Sequence, residues 1–160
     1  MAHDGVKVDV RKLQALVRRL AQAPKHVAVG VLGAAASAPH AGAEGATVAD
    51  VATWNHYGTT RIPARPFLTE TMSRHGAAIN KLFARIARGV ALEKLTVEQG
   101  LGLMGEHLVG EVKRTISEGV PPPNAPATIE QKGSSTPLID KGQVRAAITY
   151  EVRTGAPDGH

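Results

Sequence analysis

The sequence predicts an α+β domain in which a small antiparallel sheet packs against three or four helices, with two long extended loops. Apolar residues recur at helical spacing in several segments, and two shorter segments have the composition of strands. Glycine and proline are frequent in two stretches, 33–46 and 119–137, which predict the loops. A chain of 160 residues suits a single structural domain, 1–160, with a substantial core.

The first helix is predicted to begin after Asp9, whose carboxylate can cap it, and to end before Pro24. Its apolar residues form one stripe, namely Val10, Leu13, Leu16, Val17 and Leu20. The β-branched segment 26–32 predicts the first strand. Segment 33–46 is almost wholly Ala, Gly, Ser, Pro and His, so it has little to bury and is predicted to be a mobile loop.

Thr47 and Asp50 have the spacing of a capping box, which predicts a short helix that Gly58 ends. Pro63 and Pro66 restrict the residues before them to extended backbone, so the segment between them is a stiff linker. Pro66 can serve as the first residue of a long helix that follows.

A second capping box, Thr96 with Gln99, begins another helix with an apolar face from Val97 to Ile116. This helix contains four glycines, each of which lowers helix propensity by up to ~1 kcal/mol, and they predict close packing against another backbone: Gly100, Gly102, Gly105 and Gly110. Asp140 to Gly142 is a predicted turn, in which the Asp140 side chain accepts backbone N–H bonds. Segment 147–153 alternates as a final strand.

The formal net charge of +5 has two interpretations. One is a basic nucleic-acid-binding module, which would need clustered basic residues and a reading motif. The other is dispersed charge that keeps a small protein soluble, and the basic residues favour it because they lie opposite the apolar stripes. No helix-turn-helix, RNP or zinc-finger pattern is present, and aromatic residues are only 3% of the chain, too few for base stacking.

The residues predict no catalytic, cofactor or metal site, so we expect a protein that is not an enzyme. Gly100, Gly102 and Gly105 match the dinucleotide fingerprint, but they lie in a capped helix with no strand before them. The seven histidines form no metal-binding pair, and no serine lies in a Gly-x-Ser-x-Gly elbow. Cysteine is absent, which excludes disulfides and suits a reducing cytoplasm. We also expect no membrane span and no signal peptide.

Arg61 and Arg65 lie beside the stiff proline segment and have two open interpretations. Either guanidinium could be held out to a partner's carboxylate with little loss of entropy. The alternative is a salt bridge or cap within the fold. Trp54 and Tyr57, the aromatic residues of this region, are expected to be core anchors rather than interface hot spots.

Two segments, in this order, resemble the tail-completion or neck proteins of long-tailed bacteriophages. The first is Asn55-His-Tyr-Gly-Thr-Thr-Arg-Ile-Pro-Ala-Arg-Pro-Phe-Leu68, and the second is Pro137-Leu-Ile-Asp-Lys-Gly-Gln-Val144. The pattern of that family is Asn-Glu-Tyr/Phe-Gly, then Pro-x-Arg-Pro-Phe, a Lys, and Pro-Leu-x-Asp-Thr-Gly-x-Leu. This chain departs from it at His56, where Glu is usual, at Lys141, where Thr is usual, and at Val144, where Leu is usual.

The resemblance implies a structural virion protein that completes the tail and joins it to the head. In that family the protein forms a homo-oligomeric ring, most often a hexamer, through which DNA passes without sequence-specific binding. The implied partners are other neck, tail-tube or tail-terminator proteins, with no membrane contact, and the implied location is the virion after assembly in the host cytoplasm. Segment 121–137 would be an arm against a neighbour. The interface residues that follow from this hypothesis are Arg61, Arg65, Thr128, Lys132 and Asp140.

Overall fold

The structure is a computed structural model that describes residues 9–23, 26–123 and 142–155. The described part contains six helices and two strands, which confirms the α+β class. In chain order they are α1 (Val10–Gln22), β1 (His26–Val31), α2 (Gly33–Ser37), α3 (Val48–Tyr57), α4 (Phe67–Ala91), α5 (Val97–Glu118), α6 (Gln143–Ala147) and β2 (Ile148–Arg153).

The two strands form an antiparallel pair although they lie near opposite ends of the chain. His26 is opposite Arg153 and Val31 is opposite Ile148. Helix α5 lies against both strands, and α4 packs on α5. The molecule is therefore layered, with the sheet, α5 and α4 in succession, and this order gives α5 two covered sides.

Two clusters of buried apolar side chains hold these layers together. The first lies among the sheet, α3, α5 and α6, and comprises Val48, Ala52, Phe67, Val112, Ile116, Val120, Val144 and Ile148. The second lies between α4 and α5, and comprises Ile79, Ile86, Val90 and Met104. Burial of apolar surface in these clusters is the main force that fixes the positions of the helices.

Both predicted capping boxes are confirmed. The Thr47 hydroxyl accepts a hydrogen bond from the backbone N–H of Asp50 at 3.1 Å, and the Asp50 carboxylate accepts one from the backbone N–H of Thr47 at 2.9 Å. Thr96 and Gln99 make the same reciprocal pair at the start of α5. Gly58 ends α3 at φ 80°, where a side chain would be strained and a Cβ would lie 2.8 Å from the backbone N of Ala64.

The glycines of α5 confirm close packing at two positions, but the close neighbours are side chains rather than another backbone. A Cβ at Gly100 would lie 2.7 Å from a methyl of Ile86, and one at Gly105 would collide with the Tyr150 ring. At Gly110 a Cβ would meet no atom within 4 Å. The first two glycines thus let α4 and β2 approach α5, whereas Gly110 has no such role.

Three predictions about local structure need correction. Segment 33–46 is not an irregular loop, because it contains α2 and a turn in which the His40 backbone N–H donates to Ala46 O at 2.9 Å. Its alanines favour helix, and this propensity prevails where little apolar area is present; its mobility stays a prediction. Pro66 precedes the first residue of α4 rather than being that residue. The last strand begins at Ile148, because the one-turn helix α6 occupies the residues before it.

The second predicted loop, 119–137, is described only as far as residue 123. Its remaining residues, and Asp140 and Lys141 of the predicted turn, lie outside the described part of the chain, whereas Gly142 is described and has the left-handed φ of 65° that suits a turn. Among the described helices, none combines the length and the apolar character needed to cross a lipid bilayer.

Candidate functional site

The first of the two segments that resemble neck proteins, 55–68, forms a closed turn that folds back on the end of α3. The Thr59 backbone N–H donates to Ile62 O at 2.7 Å, and the Arg65 backbone N–H donates to Asn55 O at 2.6 Å. These bonds hold the proline segment against α3, as the stiffness of Pro63 and Pro66 favours. The segment is thereby a fixed part of the fold.

Arg65 lies inside this turn and is only 5% exposed. Its Nε donates to Pro122 O at 2.8 Å, and its Nη2 donates to Pro123 O at 3.4 Å. Burial lowers the pKa of the Arg65 guanidinium below its ordinary value. Of the two interpretations of Arg65, the structure supports a role within the fold, since the side chain ties the α3–α4 connection to the segment after α5.

Arg61 has a different environment from Arg65, because it is exposed at the tip of the same turn. Its backbone N–H donates to the Thr59 hydroxyl at 3.2 Å, which fixes the main chain and leaves the guanidinium at the surface. Arg61 therefore keeps both interpretations open. Thr128, Lys132 and Asp140 lie outside the described residues, so the structure does not test whether they approach Arg61.

The expectation that Trp54 and Tyr57 are core anchors is wrong, because they are 39% and 75% exposed. The aromatic residue of the core is Phe67, at 3% exposed, and His56 packs edge-to-face on it with ring centres 5.1 Å apart. The apolar pattern of α3 does not specify which face of the helix is buried. The packing of Phe67, the first residue of α4, buries the face that carries Ala52 and leaves Tyr57 exposed. His56 also contacts Tyr57, with ring centres 4.7 Å apart.

An open depression of about 190 Å³ lies beside these rings and is lined by residues that include Val31, Thr53, His56 and Leu68. Desolvation by burial lowers the pKa of His56 below its ordinary value. No described atom makes a hydrogen bond to its Nδ1. Among the lining residues His56 carries the one imidazole and none carries a carboxylate, so the depression offers apolar contact and one imidazole rather than an acid–base pair.

The largest feature that sequence reasoning missed is an exposed apolar surface on α1. Four residues of its predicted stripe remain in solvent, namely Val10 (59% exposed), Leu13 (49%), Val17 (56%) and Leu20 (46%). Helix α1 is joined to the body through Arg19, whose Nη2 donates to Val90 O at 3.3 Å and whose Nη1 lies 3.6 Å from the Glu93 carboxylate. The periodicity identified the stripe, but it could not show that the rest of the chain leaves the stripe uncovered.

A second exposed apolar surface lies on α4, where Met72 is 52% and Phe83 is 60% exposed. By contrast, the described residues contain no group of three or more His, Asp or Glu side chains arranged to hold a metal ion. Gly100 to Gly105 lie within α5, directly after the Thr96 cap, so no strand-to-helix turn for a pyrophosphate is present there. The described residues thus combine exposed apolar side chains on α1 and α4 with no such metal-ligand group.

Comparisons with protein-family models, with curated proteins and with solved structures find no match. The resemblance to phage neck proteins depends on the two sequence segments alone.

Proposed function

We propose that the protein is a structural component of a bacteriophage neck, which forms a homo-oligomeric ring that completes the tail and joins it to the head. The observation that carries this proposal is the apolar surface that the single chain leaves in water on α1 and α4. The resemblance of segments 55–68 and 137–144 to neck proteins names the kind of assembly. The ring is expected to be a hexamer, as is most frequent in that family.

Exposed apolar surface on this scale favours association. Burial of apolar area contributes about 25 cal/mol per Å², and monomeric proteins rarely expose contiguous apolar patches larger than about a few hundred Å². The exposed side chains of α1 alone include two leucines and two valines on one face. Covering this face with a neighbouring molecule lowers the free energy of the complex and requires no change in the core of the chain.

The proposal assigns complementary surfaces, and no chemical step, to the protein. Arg61 is an exposed basic side chain that is proposed to meet a carboxylate on a neighbouring subunit or on another neck, tail-tube or tail-terminator protein. Thr128, Lys132 and Asp140 are proposed to contact the same neighbours. DNA is proposed to pass through the ring without sequence-specific contacts, and the site of action is the virion.

The test is a nonsense mutation in the corresponding phage gene, with electron microscopy of the lysate and of the purified protein. We expect the purified protein to form rings, and the mutant lysate to contain filled heads and separate tails. Joined, infectious particles in the mutant lysate would contradict the proposal. Addition of purified protein to the mutant lysate should restore joining, which controls for effects on neighbouring genes.

One observation favours a second candidate, a basic nucleic-acid-binding module. The polar face of α1 carries four basic residues and no acidic one, and they are Arg11, Lys12, Arg18 and Arg19. Duplex DNA binding that weakens steeply with salt, and that is lost when these four residues are replaced by Gln, would support this candidate. Unchanged affinity in the replaced protein would exclude α1 as the DNA-binding element.

A further inference from the structure

We propose that α1 of one copy of this chain packs into a groove on α4 of a second copy, between Met72 and Phe83. The inference rests on the self-assembly part of the proposed function, and it names the two surfaces that meet. Three observations support it: the exposed apolar surface on α1, the exposed apolar surface on α4, and Gly76, a glycine that packing within the single chain does not require.

The α1 surface, formed by Val10, Leu13, Val17 and Leu20, has the spacing of two heptads. Intervals of three, four and three residues place the four side chains along one seam of a helix. The positions beside the seam are uncharged, since they are occupied by Gln14, Leu16 and Ala21. The basic residues of α1 lie on the other side of the helix, so a neighbour can cover the seam without burying a charge.

The α4 surface has a matching form. Met72, Gly76 and Phe83 follow one another along a single line of the helix, since their spacings of four and seven residues return to the same face. Asn80 and Ala87, which lie beside this line, are uncharged and exposed. The Lys and Arg side chains of α4 are on the far side of the helix, and they are Arg74, Lys81, Arg85 and Arg88.

Gly76 makes this line a groove. A glycine inside a helix costs up to about 1 kcal/mol relative to alanine. At Gly76 a Cβ would meet no atom within 4 Å, so packing within the single chain does not require a glycine there. Between two large exposed side chains, the missing side chain leaves a hole of the kind that accepts a Leu or Val from a facing helix.

The lengths of the two surfaces also agree. From Val10 to Leu20 there are ten residue steps and from Met72 to Phe83 eleven, which at the helical rise correspond to about 15 and 16 Å. The α1 of the same chain does not fill this groove, because Arg19 holds it at Val90 and Glu93 while Met72 and Phe83 remain exposed. The occupant is therefore the α1 of a second copy.

This pairing joins two different surfaces of the chain, which has a consequence for symmetry. A head-to-tail contact generates a ring when its rotation closes, whereas pairing of identical surfaces generates a two-fold dimer. Two α1 helices that paired with each other would form only two heptads, and sustained coiled coils have at least three to four. Packing of α1 on the fixed surface of α4 avoids that limit.

Disulfide trapping tests the contact directly, because the chain has no cysteine. Two single variants, Gln14→Cys and Asn80→Cys, place one thiol near the middle of each surface. When they are mixed under mild oxidation, we expect a disulfide between the two different chains. The matched controls Lys12→Cys and Arg85→Cys lie on the opposite sides of α1 and α4, and they should give little of this product in the same mixtures.

Filling the groove gives an independent measurement. Gly76→Leu should raise the melting temperature of the dilute monomer, because it removes a helix-interior glycine, and should weaken self-association about tenfold or more. Gly110→Leu is the control, since a Cβ there also meets no atom within 4 Å but the residue lies on α5, away from the groove. It should raise the melting temperature and leave self-association unchanged, and Leu13→Glu should weaken self-association as Gly76→Leu does.

Several outcomes would overturn the inference. A disulfide formed readily by Gln14→Cys alone would show that α1 pairs with α1. Binding of the wild-type chain to anionic phospholipid vesicles that Leu13→Glu abolishes, with self-association unchanged, would assign the α1 surface to a membrane. Wild-type protein that stays monomeric at all concentrations would overturn the proposed ring as well. Wild-type oligomers that Gly76→Leu and Leu13→Glu leave intact would overturn this inference alone.

Discussion

Helices α1 and α5 have the same kind of sequence but different surroundings. Each begins with a side-chain cap and carries one apolar stripe at helical spacing. In α5 the stripe is buried between α4 and the sheet, and Ile116 is 0% exposed. In α1 the corresponding side chains are about half exposed. The difference teaches that periodicity identifies a face that favours burial, and that it does not identify the surface that buries it.

The two helices also differ in how closely neighbouring elements of the chain can pack against them. Gly100 and Gly105 give α5 two places where Ile86 and Tyr150 come close. Helix α1 has no glycine and is attached mainly through Arg19 at the end of α4. The interior of the single chain is thus complete without the α1 stripe, which leaves that stripe available to another molecule.

The largest expected effect is a difference in stability between substitutions in the apolar stripe of α5 and in that of α1. Ile116→Ala in α5 should lower the free energy of unfolding by about 2–5 kcal/mol, because it leaves a cavity in the core. Leu13→Ala in α1 should change it by less than about 0.5 kcal/mol in dilute solution. Urea denaturation at concentrations where the protein is monomeric measures both. A Leu13→Ala cost as large as that of Ile116→Ala would mean that α1 packs on its own chain.

The next effect should separate the two arginines of the proline segment. Arg65→Ala should lower the free energy of unfolding by about 1.5–3 kcal/mol, because the carbonyls of Pro122 and Pro123 lose a charged donor. Arg61→Ala should leave stability within about 0.5 kcal/mol of the wild type and should weaken assembly. Thermal melts with sedimentation of the folded protein distinguish the two roles, and a stable Arg65→Ala protein that fails to assemble would reverse this assignment.

A smaller effect should separate the glycines within α5. Gly105→Ala forces the Tyr150 ring to move and should cost about 1–3 kcal/mol of stability. Gly110→Ala has free space and should gain up to about 1 kcal/mol from helix propensity. Urea denaturation of the two variants compares the same Gly→Ala change at a crowded and at an open position. Equal stabilisation by both substitutions would show that β2 does not approach α5 as closely as described.

The smallest effect depends on pH and concerns His56. Burial lowers the pKa of this side chain in the folded state from the ordinary value of 6.5, so the unfolded chain takes up the proton more readily. Its contribution to stability is therefore present above 6.5 and is lost as the pH falls below that value towards the folded pKa. Melting temperatures between about pH 7.5 and about pH 5.5 should fall less in His56→Gln than in the wild type. An equal fall would assign the pH dependence to other groups.

Local sequence determined much of this protein by itself. Thr47 with Asp50, and Thr96 with Gln99, fixed two helix starts because the capping partners are three residues apart. The spacing of apolar residues predicted the long helices, and the β-branched composition predicted the strand at 26–31. Gly58 predicted the end of α3. These features depend on neighbours in the chain, and short-range physical chemistry is sufficient to predict them.

Tertiary structure alone decided which predicted faces are covered and which charged groups are buried. Arg61 and Arg65 stand beside the same prolines, but only Arg65 meets the carbonyls of Pro122 and Pro123, more than 50 residues away. Tyr57 faces solvent and Phe67 faces the core for the same reason. A side chain's burial depends on contacts between segments distant in sequence, and local patterns carry no information about which segments meet.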